Sequence, residues 1–243
     1  MFILPLMFSI LLLIPTASAQ ASSQEKCAAK KPFETAIDIK FVNPPPTYVY
    51  DRSIKSITKY SGQIISKWND EQGGGVFAPK MSHALGLTIG KMGFRFESLN
   101  MSRSTSLFGS DTCIYAKNLT VEVFYSSEIY VASEYKKGTC KHKVTLEHEH
   151  KHHNANISAV KAHVETLKKD MPEIVTYLEQ KSISNAGAQD ASNKLQAGFH
   201  DALNFYTKQV KAIMEQKNSQ IDTPEEYARA GRVCGGGKRL RLW

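Results

Sequence analysis

The chain has 243 residues, 42% hydrophobic and 22% charged, with 15 glycines and 9 prolines; this globular composition excludes collagen-like, coiled-coil-only and fully disordered chains. Its 31 basic and 23 acidic side chains leave a formal charge of +8, but bases and acids are interleaved and only Lys238-Arg239-Leu240-Arg241 is dense. That pattern describes a solvated surface, and nucleic acid is not an expected partner.

The N-terminus is the most apolar stretch. As a helix, Phe2 to Ile14 spans about 20 Å, short of a hydrocarbon core of ~30 Å, and the small-x-small site Ala17-Ser18-Ala19 follows it. Residues 1–19 therefore read as a secretory signal peptide. The expected product is exported, periplasmic or extracellular, with no stable membrane insertion. Residues 20–34 read as a flexible lead-in, and 35–234 as one domain. Alternation over Thr35–Val42 predicts a strand, stopped by Asn43-Pro44-Pro45-Pro46, and Tyr48–Tyr50 suits the start of a return strand. Ile54–Trp68 suits either a helix or a strand, and Asp70–Gly75 reads as a loop. Gly86–Glu97, Asp111–Ala116, Leu119–Tyr125 and Glu128–Ser133 read as further strands, with a turn at Ser126-Ser127. This β-rich part, residues 35–135, is expected to be antiparallel.

Near Val144 the period changes. Val144–Asp170 predicts one long helix, with Val144, His148, His152, Ala155, Ala159, Val160, His163 and Leu167 on one face. Asp170-Met171-Pro172 is expected to end it, and a short helix from Glu173 is expected to loosen at Ser182–Asn185. A further helix, Asp190–Glu215, spaces Leu195, Phe199, Leu203, Tyr206, Val210 and Ile213 for one buried face. Thr223 then suits an N-cap, Pro224 the first helical position and Glu226 the partner residue of a capping box. The helical part covers 144–231, and 235–243 reads as a disordered tail. Strands first and helices afterwards give an α+β architecture.

Cys27, Cys113, Cys140 and Cys234 are an even set without a CxxC pair, which suits disulfides in an exported chain better than a cysteine zinc site. Of the three pairings, Cys113–Cys140 would tie two strand-like segments and Cys27–Cys234 the termini.

The informative residues are His148-Glu149-His150-Lys151-His152. Read as H-E-x-x-H, they put two imidazoles one helical turn apart on one face, where both reach a single metal ion. Glu149 sits about 100° around from His148, beside the ion without being forced to ligate it. That is the place for a general base acting on water activated by zinc, Zn2+. The stretch is rich in histidine, so a solvated or metal-scavenging tract competes with this reading. The motif histidines fall on the apolar stripe, which favours a site. His150 is expected to face solvent with no role, and His153, near the Glu149 face, to be a surface histidine, its competing use being contact with substrate or with the groups that support the ligands. His163 is too far along the axis to share the ion.

Glu128-Ile-Tyr-Val-Ala-Ser-Glu-Tyr135, Gly138-Thr139-Cys140 and Leu146-Glu147-His148-Glu149-x-x-His152 resemble bacterial secreted zinc-dependent protease families of unassigned biological role. Asp222-Thr-Pro-Glu-Glu-Tyr227 with the later Cys234 resembles their C-terminal signature, so the resemblance covers the second half of the chain. It implies a zincin-like domain, an exported zinc metallopeptidase acting on peptide or isopeptide bonds, and a peptide or protein substrate in the cell envelope. The elongated metzincin pattern is absent, since Ala155 and Ser158 stand where it needs Gly and His. A gluzincin-like arrangement is expected instead, in which a carboxylate from a later helix joins His148 and His152. Glu226 is favoured, against its competing use in the capping box, and Glu173, Glu179, Glu225 and His200 are the other candidates. Tyr227 would donate to a developing oxyanion or serve only in packing. The alternative function is a non-catalytic periplasmic metal-binding protein.

Overall fold

The computed structural model describes Cys27, Lys31 and residues 33–71, 84–105 and 112–235. The expected signal peptide, most of the lead-in, the Gly73–Gly75 loop and the tail beyond Gly235 lie outside the described residues. In chain order the elements are β1 (Ala36–Val42), β2 (Thr47–Val49), α1 (Ile54–Glu71), β3 (Gly86–Thr105), β4 (Thr112–Val131), α2 (Cys140–Lys181), α3 (Ala188–Ile221) and α4 (Pro224–Val233). The fold is mixed α/β, one sheet with parallel and antiparallel pairs plus four helices among the described residues.

β4 organises the sheet. Leu119, Val121, Val123 and Tyr125 alternate along it and are fully buried, as the period-two pattern requires. β3 pairs with it antiparallel from Gly86↔Val131 to Thr105↔Thr112. The three strands expected between Asp111 and Ser133 are therefore one, and Ser126-Ser127 is not a turn. Those serines sit opposite Lys91 and Gly90, where the full-length partner strand satisfies the backbone without a reversal.

On the other edge of β4, β1 and β2 lie end to end, both parallel to it. The expected antiparallel character thus holds only for β3–β4, and Tyr48–Tyr50 does not return along β1. Asn43–Pro46 interrupts the edge opposite Tyr125–Ser127 without turning the chain back. Three consecutive prolines bring no N–H to a ladder, yet favour extended backbone.

α1 resolves the ambiguous Ile54–Trp68 segment as helix and takes in Asp70 and Glu71, which were expected in a loop. Its Ile57 is fully buried among Ala84, Tyr130 and Ala132. α2 and α3 cover one sheet face, where Val160, Leu167, Met171, Leu195, Phe199 and Leu203 join the β4 core. Pro172 does not end α2, which runs unbroken to Lys181. Burial of Met171, Val175 and Leu178 on either side of it offsets the ~3 kcal/mol that an interior proline costs a helix. Thr223 caps α4 as expected, accepting from Glu226 N at 3.2 Å.

The disulfides are Cys27–Cys113 and Cys140–Cys234, not the expected pairs. Cys113 opens β4 and Cys140 follows its far end, so a strand roughly 60 Å long separates two residues that a disulfide needs within ~7 Å. Two disulfides fit an oxidising compartment. No described helix is long and apolar enough to cross a membrane.

Candidate metal centre

α2 and α3 are joined by a short connection at Ser182–Gly187 and run back antiparallel, so residues equally far from the turn meet. His163 faces Tyr206, with ring centroids 5.1 Å apart, His152 faces Asn218, and His148 faces Asp222. Asp222 is the C-cap of α3 and lies directly before the N-cap of α4. Its place between two helix ends turns its side chain back onto α2.

His148 Nε2, His152 Nε2 and Asp222 Oδ1 form a nearly equilateral triangle. The nitrogens are 3.2 Å apart, and each lies 3.1 Å from Asp222 Oδ1. A tetrahedral zinc ion with bonds of about 2.0–2.1 Å separates its ligand atoms by about 3.3–3.4 Å. Donor types and spacing therefore fit, and the group can hold a metal ion. Two imidazoles and a carboxylate suit zinc and other first-row ions alike. The histidines are buried and Asp222 is partly so.

Burial opposes ionisation of Asp222, but His148, His152 and the Tyr227 hydroxyl hold its carboxyl far below the ordinary range. Burial would likewise lower His152, yet the hydrogen bond and charge of Asp222, with Glu149 and Asn218 adding, raise it to about 9. Asp222 and His152 thus set a carboxylate against a cationic imidazole, the electrostatic pattern that a metal cation can replace.

Glu149 leaves the triangle toward the sheet. Thr88 Oγ1 lies 2.9 Å from its Oε2 and 3.0 Å from its backbone carbonyl. Gly86 leaves room for the side chain: a Cβ there would lie 2.5 Å from Oε1. Burial pushes the Glu149 carboxyl above its ordinary range, against the pull of His152, His148 and Thr88.

Glu226 does not join the group. Its Oε1 is 2.5 Å from Lys151 Nζ and 2.8 Å from Arg229, and approaches only the outer Nδ1 of His148, at 3.7 Å. A carboxylate already engaged by two cations gains little by moving to a metal. The carboxylate of the group is instead Asp222, which was not among the expected ligands. The Tyr227 hydroxyl donates to Asp222 Oδ1 at 2.7 Å, so here it supports a ligand and does not face an oxyanion. Burial first, then the Asp222 charge, raises its pKa far above the ordinary tyrosine value.

The other candidates lie elsewhere. Glu173, Glu225 and His200 are exposed, and Glu179 is buried against Lys31 and the Ala116 amide. His153 is buried rather than on the surface, 2.8 Å from Ser127 Oγ. His150 is half-buried and meets Tyr48. No family model, curated protein sequence or solved structure matches this chain.

Proposed function

We propose that this protein is an exported zinc metallopeptidase that hydrolyses peptide or isopeptide bonds in the cell envelope, on a zincin-like arrangement of sheet and H-E-x-x-H helix. The observation that carries the reading is the triangle of His148, His152 and Asp222 with Glu149 buried beside it on the same helix. His148, His152 and Asp222 would hold the ion, which when bound supplies Lewis acidity toward a carbonyl and a water molecule. Glu149 serves as the general base. Burial raises its proton affinity above that of an exposed carboxylate, which suits a group that takes a proton from water and returns it to the leaving amine. Thr88 and Gly86 hold that carboxylate against β3, and Tyr227 fixes the Asp222 oxygen.

A second reading, a non-catalytic metal-binding protein, is favoured by the burial of both histidines, each 8% exposed, and by the engagement of Glu149 with Thr88. One variant separates the two. Glu149→Gln should keep zinc and the fold but lower hydrolysis of a peptide library by about 10²–10⁴-fold, because an amide cannot accept the proton. A zinc-replete Glu149→Gln protein as active as the parent ends the peptidase reading.

A further inference from the structure

Behind the triangle stands a pair of asparagines with no place in the H-E-x-x-H motif. His152 Nδ1 lies 2.9 Å from Asn218 Oδ1, and Asn218 Nδ2 donates to Asn156 Oδ1 at 2.9 Å. Asn156 is 3% exposed and His152 is 8% exposed, and Asn218 between them is half-buried. We propose that Asn218, oriented by Asn156, is a positioning residue that keeps the His152 proton on Nδ1 and leaves its Nε2 lone pair for a metal ion.

An amide has two ends, and the direction it faces decides the chemistry. With Oδ1 toward the ring, Nδ1 must be the donor, and Nε2 can give its lone pair to the point shared with His148 and Asp222. If the amide were reversed, Nδ2 would donate to Nδ1 and the ring proton of neutral His152 would move to Nε2, into the triangle. Asn156 Oδ1 accepts from Asn218 Nδ2, so turning Asn218 alone would set two amide oxygens face to face, and a reversal requires Asn156 to turn with it. Metal-binding histidines usually give their outer N–H to a carboxylate, carbonyl or water, and loss of such a partner costs about 10–100-fold in metal affinity. Here a side-chain amide, itself fixed by a second amide, fills that place.

The inference rests on the metal-site reading proposed above, and the test keeps the two apart. Zinc affinity is measured by chelator competition on the full-length mature protein and on Asn218→Leu, Asn218→Asp and Asn156→Leu. Long-range 1H–15N spectra of the zinc-loaded parent report which His152 nitrogen carries the proton. We expect the proton on Nδ1, a 10–100-fold weaker zinc affinity in Asn218→Leu with its melting curve still cooperative, and recovery in Asn218→Asp, which restores an acceptor to His152 while Asn156 turns its Nδ2 toward the second carboxylate oxygen. Asn156→Leu, which frees the amide to turn, should weaken zinc by a smaller factor. Equal zinc affinity in the parent and Asn218→Leu, or a His152 proton on Nε2, overturns the positioning role while leaving the metal site standing. A parent that binds no zinc overturns the metal site, and with it this inference. Should Asn218→Leu fail to fold, the Asn156→Leu affinity and the parent spectrum still decide the matter.

Discussion

A methyl group at Gly86 tests most sharply where Glu149 is seated. A Cβ there would lie 2.5 Å from Glu149 Oε1, 2.8 Å from Glu149 Cγ and 2.8 Å from Thr145 Cγ2. All three are far inside the ~3.5–4.0 Å at which nonbonded atoms attract. Neither side chain has room to step aside: Glu149 is 5% exposed and Thr145 is 9% exposed. Forced overpacking of this kind costs ~1–3 kcal/mol. At roughly 2–4 °C per kcal/mol for a domain of this size, Gly86→Ala should lower the melting temperature by about 2–12 °C. The carboxylate must also move, and a displacement of ~1 Å at a reacting group costs on the order of 10²-fold in rate. The atoms that a Cβ at Gly86 meets first belong to Glu149 and Thr145 and not to His148, His152 or Asp222, so zinc content after dialysis should equal that of the parent. Scanning fluorimetry, metal analysis and peptide turnover on the same preparation check all three. An unchanged melting temperature with full activity would refute the seat of Glu149 against β3. Loss of zinc would show that β3 supports the histidines as well.

Replacing Cys140 and Cys234 by serine removes a crosslink of sequence separation 94. The chain-entropy relation gives about 4.7 kcal/mol for a loop of that length, and removal of native disulfides typically costs ~2–5 kcal/mol, a loss readable in urea midpoints. Since α4 has no buried residue, limited proteolysis of that variant should cut within Pro224–Val233 first. Glu226→Gln should retain zinc, because Glu226 lies outside the donor triangle. Arg229 and Lys151 hold the Glu226 carboxyl down to about 2, against the opposing effect of burial. Its ionised form therefore favours the folded state above about pH 4, and that contribution disappears as the pH falls toward 2. The stability profile of Glu226→Gln should be flatter across that window, measured by urea midpoints at several pH values.

The fold was legible where a local pattern and its tertiary partner agree. Alternation in Leu119–Tyr125 and the helical stripe through His148 and His152 both describe faces that are buried in the structure. Thr223-Pro224 marked the start of α4 because capping is decided within one turn. Punctuation by local signals failed where long-range packing outweighs it. Pro172 lies between buried Met171 and Val175, and the α2–α3 contact carries the helix through it. Ser126-Ser127 lies inside a ladder whose partner strand, β3, could not be read from those residues. Strand direction was not legible either, since the parallel pairing of β1 and β2 depends on which edge of β4 they join.

The site divides along the same line. His148, Glu149 and His152 stand on one element, and a helical wheel is enough to bring the two imidazoles together. The third donor comes from another helix, and neither residue type nor capping pattern singles it out. Hairpin register does. α3 is 34 residues long, Asp222 follows it directly, and His148 lies about as far before the connection at Ser182–Gly187. Two antiparallel helices of equal rise must then set Asp222 against His148 and Asn218 against His152, as they are found. The expected Glu226 sits one turn further on, past the bend at Thr223, where Lys151 and Arg229 are the nearer partners. A single bend between α3 and α4 thus separates a carboxylate that closes the centre from one that supports its outer wall.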